Sequence, residues 1–211
     1  VTLADIPLRE LKKARNKVAL YNASLSLMGE KMFREVMLDD ICREAEVSRV
    51  TFFKYFQRKE DLLLYFMRVW LTERIIEIEA EGMSGFTAVR HLIGKVAEQN
   101  KQRIGLMPSL ISFLAEMKMH PDMPEMSKAE VLLLFPHHVK LGSQSPNMFE
   151  LFHQCMTEAH TSGKLRSGIT VDRAVQLLLT IFYGAFLTAQ LYNSPDVADV
   201  YETHLLLLEN H

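Results

Sequence analysis

The chain has 211 residues, 48% hydrophobic and 24% charged, which excludes a disordered or fibrous protein and supplies enough apolar side chains to bury a core. Its formal net charge of −2 divides unevenly: residues 1–70 hold thirteen Lys or Arg against ten Asp or Glu (+3), and the remaining 141 hold eleven against sixteen (−5). That asymmetry points to an N-terminal segment facing a polyanion, while two cysteines, Cys42 and Cys155, 113 positions apart, exclude a disulfide scaffold and fit a reducing cytoplasm.

In chain order, the N-terminus has Asp5 and Pro7 and no apolar core segment, so it lacks the plan of a signal peptide. Leu11, Ala14, Val18, Tyr21, Leu25 and Met28 recur at spacings of three and four, predicting a first helix over 8–28 that ends at Gly29. A second is expected over 38–44, with Asp39 and Asp40 in the first turn, where acids complement the helix dipole. "AEVS" is then a short turn, and Ser48 caps a third helix over 49–55. A long fourth helix over 59–81 is closed by Gly82 and Gly85. Further helices are expected near 86–104, 108–119, 124–141, 146–162, 171–192 and 195–209, with Pro108, Pro124, Pro146 and Pro195 near their starts. Alternating β-branched runs are missing, so the fold class is all-α.

The first three helices match the helix-turn-helix plan. In the third, Phe52 and Phe56 share a face and pack toward Ile41, Ala45 and Val47, so Arg49, Val50, Thr51, Phe53 and Lys54 lie on the other. Such a surface pushes donors and a small apolar area into a major groove. Arg49 suits guanine O6 and N7, and Val50 or Thr51 a thymine methyl. Tyr55 and Lys59 suit phosphates. By charge and spacing alone, a helical hairpin with a solvated basic face accounts for the same residues.

"MFREVMLDDICREAEVSRVTFFKYFQRKEDLL" resembles the DNA-binding signature of the TetR family of transcriptional regulators, most specifically over "VSRVTFFKYFQRKEDLL". The resemblance covers about residues 18–65 at motif level and the rest through length and helical plan. It implies that Arg49, Val50, Thr51, Phe53, Lys54, Tyr55 and Lys59 face double-stranded DNA. Four positions depart from the family pattern: Met37 stands for a capping threonine, Glu46 for a turn glycine, Val50 for a frequent glycine and Phe53 for a tyrosine. The resemblance further implies a three-helix head at 1–58, joined by a long helix to a ligand-binding and dimerisation domain at 59–211. The homodimer would form through the two C-terminal helices, and an apolar cavity would take a small apolar or amphipathic ligand. The lining expected for that cavity is Trp70, Met107, Phe113, Met117, Phe135, Phe149, Phe152, Met156 and Phe182. These same residues also read as ordinary core.

The uncharged run "AVQLLLTIFYGAFLTAQL" at 174–191 is long enough to cross a bilayer. Gln176, Thr180, Thr188 and Gln190 interrupt it and no basic cluster flanks it, so it reads as a helix covered by its own core and a twin subunit. His120, His137, His138, His153, His160 and Cys155 do not share the spacing of a zinc site, and no metal or other cofactor is expected. Phosphate-binding glycine loops, nucleophile elbows and HExxH are missing, so no enzyme is expected. The sequence thus reads as a cytoplasmic, ligand-responsive DNA-binding regulator. A helical interaction module, or a DNA binder with no small-molecule pocket, is the alternative.

Overall fold

The structure is a computed structural model and describes residues 2–117, 121–194 and 196–210. Among the described residues there are eleven α-helices, two short 3-10 helices at Leu3–Asp5 and Phe33–Glu35, and no strand. They fall into two compact units, residues 1–76 with 102–146, and residues 77–101 with 147–211.

The first unit opens with α1 (Leu8–Met28), which buries Leu11, Ala14, Tyr21 and Met28 of its expected stripe and leaves Val18 and Leu25 half-buried. It stops at Gly29, whose φ of 48° needs no Cβ to be accommodated. Helix α2 (Leu38–Glu44) has the predicted bounds, and Met37 at its N-cap makes no side-chain capping bond. Helix α3 is shorter than expected, Arg49–Phe52. After it the chain tightens into turns in which the Lys54 and Tyr55 amides donate three residues back, to Thr51 and Phe52.

Between α2 and α3, Glu46 adopts φ 54°. A side chain in the left-handed region costs about 1–2 kcal/mol, and glycine there would lose about 0.5–1 kcal/mol in chain entropy. Glu46→Gly is therefore expected to raise stability by about 0.5–1 kcal/mol. A denaturant midpoint that stays put or falls would count against this account.

Helix α4 (Asp61–Ala80) begins where the Asp61 carboxylate accepts from the amides of Gln57 and Arg58, both at 2.9 Å. The first unit is completed by α6 (Leu106–Met117), α7 (Lys128–Leu134) and α8 (Val139–Ser143), while α5 (Gly85–Gln102) belongs largely to the second. At the start of α6, Gly105 lies so near the 31–32 backbone that a Cβ would come 2.0 Å from the Lys31 carbonyl oxygen. The Phe33 amide donates to Ser109 Oγ at 2.8 Å, so the loop before α2 is seated on α6. Met119, the expected end of that helix, lies outside the described residues.

One expected helix is two. The span 124–141 is broken at Phe135, which has φ −131° and ψ 54° and precedes Pro136. Proline has no amide to donate and its ring clashes with a helical neighbour, so the residue before it leaves the helical region. Nor does Pro124 open α7: Ser127 caps it through a box in which its hydroxyl accepts from the Glu130 amide and the Glu130 carboxylate accepts from the Ser127 amide.

In the second unit, α10 (Val171–Leu191) packs against α9 (Met148–Thr161) and α11 (Val197–Leu205). Asn147, Thr170 and Asp196 cap these helices with side-chain oxygens, so α9 and α11 start after the caps rather than at the expected prolines. Pro195 lies outside the described residues. The Tyr201 hydroxyl donates to the Phe182 carbonyl at 2.7 Å, and the Arg90 guanidinium of α5 clasps Glu202 and Glu209 at 2.7 and 2.5 Å. Helix α10 is apolar and long enough to cross a membrane by length and composition, and 44% of its most apolar window is buried within the protein.

Candidate nucleic-acid interface and body

The α2–α3 pair is held from inside by Ile41, Val47, Phe52 and Phe56, all buried. Ring centroids run in steps of 5.3 to 5.9 Å from Phe53 through Phe52, Phe56 and Tyr65 to Tyr21, so an aromatic chain ties α3 to α4 and α1. At its base the Ser48 hydroxyl accepts from the Thr51 amide at 3.2 Å, the cap expected from the sequence.

With the aromatics turned in, Arg49, Val50, Phe53 and Lys54 are exposed, Val50 to 70% and Phe53 to 52%, and Thr51 and Tyr55 are half-buried. Val50 and Phe53, three positions apart, both present apolar surface to solvent on this face, beside the charged Arg49 and Lys54. The Arg49 guanidinium is 3.2 Å from the Asp39 carboxylate, with both side chains largely exposed. Such a surface pair is worth about 0–1 kcal/mol and exchanges readily for a stronger acceptor. Lys54 has no polar partner among the described residues. The Tyr55 hydroxyl accepts from Asn16 Nδ2 at 3.3 Å, which fixes its ring beside α1.

Lys59 is placed differently from the other six. Its ammonium donates to the carbonyls of Phe33, Arg34 and Val36 at 2.9, 3.3 and 2.8 Å and lies 5.0 Å from the Phe33 ring centroid. An ammonium has three donors, and here all three are taken. Burial pushes its pKa down. The residue expected at a phosphate thus clasps the loop before α2 to the start of α4.

The nine residues expected to line a cavity divide between the two units. Trp70, Met107, Phe113 and Phe135 are buried and Met117 half-buried in the first; Phe152, Met156 and Phe182 are buried in the second. The Phe152 and Phe182 rings meet at 6.2 Å. Phe149 stands apart from any lining at 48% exposed, its ring stacked on His153 at 6.3 Å. It lies in the first turn of α9, three residues before Phe152 and seven before Met156, so it has the spacing of the buried stripe through Phe152, Cys155, Met156 and Ala159 and is nevertheless left exposed. Burial pushes the Cys155 thiol up to about 12, as suits a small core residue, and raises Cys42 as well. His120 lies outside the described residues, and among these no three His, Cys, Asp or Glu side chains group as metal ligands.

Two buried ionic features went unread in the sequence. Glu130, 3% exposed, accepts from Lys17 Nζ at 2.6 Å and from the Tyr65 hydroxyl at 2.9 Å, which joins α7 to α1 and α4. Arg68, 2% exposed, donates to the Gly142 carbonyl at 2.7 Å and to the Thr72 hydroxyl. Each had a signal. Lys17 lies three residues after Ala14 and four before Tyr21, on the apolar stripe, and Arg68 interrupts the run "LLLYFMRVWL".

Residues 20–66 match the family of bacterial regulatory proteins described as tetR. Among solved structures, the Thermus thermophilus FadR, a TetR-family transcriptional repressor in complex with lauroyl-CoA, is 23% identical. The match covers 90% of this chain and 92% of that one, with a TM-score of 0.55. Regulatory protein TetR from Rhodobacter sphaeroides is 21% identical over 89% of this chain and 95% of that one, with a TM-score of 0.57. The reduced form of E. coli NemR is 15% identical over 92% and 98%, with a TM-score of 0.59. No curated protein sequence matches the chain. Residues 20–66 are therefore similar to the bacterial regulatory proteins of the tetR family, and the chain as a whole shares the all-helical fold of these solved structures.

Proposed function

We propose that this chain is a homodimeric transcriptional repressor of the cytoplasm that binds a pseudo-palindromic operator and is released by a small apolar or amphipathic ligand. The observation that carries the reading is the outer surface of α3, where Arg49, Val50, Phe53 and Lys54 stand exposed over an aromatic scaffold. Residues 1–58 act as the DNA-binding head and residues 59–211 as the sensing and dimerising body. A single head covers few base pairs, so affinity comes from two heads whose half-sites lie about 34–36 Å apart in successive major grooves. Dimerisation through α10 and α11 is supported by the exposed Leu187 and Leu191 of α10 and by Tyr192, Leu206 and Leu207 just past the ends of the two helices, with Leu191 at 68% and Tyr192 at 81%.

Ligand favours release only by binding the DNA-incompetent state more tightly. Helix α4 transmits it, because Tyr65 on that helix touches both the aromatic scaffold and Glu130. The lauroyl-CoA in the Thermus thermophilus FadR structure is consistent with a ligand that has a long apolar part.

The test is selection of bound fragments from a random DNA pool at physiological salt. Wild type is expected to enrich a pseudo-palindrome. Arg49→Ala is expected to weaken binding by about 1–3 kcal/mol and to relax preference at one base position per half-site. Lys54→Ala should instead weaken all sequences alike and reduce the salt slope by about one. Unchanged preference in Arg49→Ala would remove it as a base reader.

A further inference from the structure

Arg68 is a buried cation whose bonding is incomplete. Its two bonded partners, the Gly142 carbonyl and the Thr72 hydroxyl, are neutral, and its Nε finds no acceptor among the described residues. The nearby carboxylate does not balance it. Glu130 is matched by Lys17 at 2.6 Å, and its oxygens also accept from the Tyr65 hydroxyl and from the hydroxyl and amide of Ser127. Lys17 and Arg68 are two positive charges against the one carboxylate of Glu130, so this cluster of three side chains has one positive charge in excess. Burial pushes the Arg68 pKa down, with the charges of its neighbours opposing. A guanidinium nevertheless keeps its proton, so the unbalanced charge stays in the fold.

The surroundings of the bonded carbonyl are apolar. A Cβ placed on Gly142 would come 2.7 Å from Phe135 Cδ2 and 2.9 Å from Val131 Cγ1, so these side chains press against the residue that receives the guanidinium. A carboxylate oxygen would supply both the acceptor that the Arg68 Nε–H lacks and the missing negative charge, and an apolar tail suits the Phe135 and Val131 side chains beside Gly142.

We propose that Arg68 anchors the acidic group of the effector, an amphipathic carboxylate whose apolar part packs toward Phe135. The proposal deepens, and rests on, the reading of the body as a small-molecule sensor. It also gives the sensor a short route to the head, because Val131 is adjacent to Glu130, which holds Lys17 of α1.

The experiment uses the full chain and three families of straight-chain probes from eight to sixteen carbons: carboxylates, alcohols and amines. Melting temperature and release of the selected operator fragment are both read. Carboxylates are expected to stabilise wild type, and release the fragment, at concentrations at least tenfold below those of alcohols or amines of equal length. Arg68→Met should erase that preference and leave acid and alcohol equivalent. Alcohols as effective as carboxylates on wild type would overturn the anchor and leave the sensor reading standing. So would a preference for acid that survives in Arg68→Met. No response to any family would overturn both. If Arg68→Met does not fold, the wild-type comparison of acid with alcohol decides by itself.

Discussion

Glu130→Ala is expected to destabilise the protein by about 3–5 kcal/mol, because it removes the only carboxylate paired with the half-buried Lys17 ammonium among the described residues and leaves it just the Tyr65 and Phe56 rings. The carboxylate is 3% exposed and its partner's side chain 18%. Both oxygens are in use, one by Lys17 and Tyr65 and the other by Ser127. Removing them strands an ammonium and a phenol at once, and deletes the N3 member of the α7 capping box. The expected control is Lys17→Met combined with Glu130→Leu, which should recover much of the loss, since a buried pair exchanged for apolar groups is often neutral. A single mutant within about 1 kcal/mol of wild type would mean that the pair contributes no more than an exposed one.

The same residue sets a pH dependence. Burial pushes the Glu130 pKa up, but the hydrogen bond and charge of Lys17 and the donors of Ser127 outweigh it and hold it below the ordinary value of 4.5. A carboxylate with a depressed folded pKa contributes stability that is fully present above its unfolded pKa and is lost as pH falls through the folded one. Acid titration of wild type should therefore lose this contribution below pH 4.5, and Glu130→Ala should show a flatter curve there.

Phe52→Ala is expected to cost a further class of stability, about 3–5 kcal/mol, through the cavity it leaves. Phe52 is wholly buried and its ring meets those of Phe53 and Phe56, so it alone connects the short α3 to the aromatic chain reaching Tyr65 and Tyr21. Four residues of helix have little stability of their own. Without this ring α3 is expected to detach, and specific DNA binding to disappear together with amide-exchange protection in residues 48–56. Arg49→Ala, in contrast, should lose preference and keep that protection. Retained protection in Phe52→Ala would show that the Ser48 cap and the turn hold α3 without the aromatic chain.

Local rules act over a turn or less, and the features they govern were legible in the amino-acid order. Helix α2 has the predicted bounds, α1 stops at Gly29, and Ser48 caps α3, because each depends on residues at most four positions apart. The break between α7 and α8 was equally local. Pro136 stands in the sequence inside a span read as one helix, and its effect on Phe135 needs no tertiary information. The head was legible for a related reason, since spacing alone puts Phe52 and Phe56 on one face and leaves Arg49, Val50 and Lys54 on another.

Tertiary structure alone decided what each long or charged side chain touches. Lys59 has the composition of a phosphate ligand, and only the approach of three carbonyls from 33–36 takes its donors. Phe149 and Phe152 are both aromatic and three apart on one helix, yet one faces solvent and the other is 1% exposed. Lys17 finds Glu130 across 113 positions, and Arg68 finds Gly142 across 74. Periodicity reports which face of a helix is apolar, because that depends on geometry within the helix. The partner of a buried charge depends on which other helix the fold brings to it, and that comes from the packing of the whole unit.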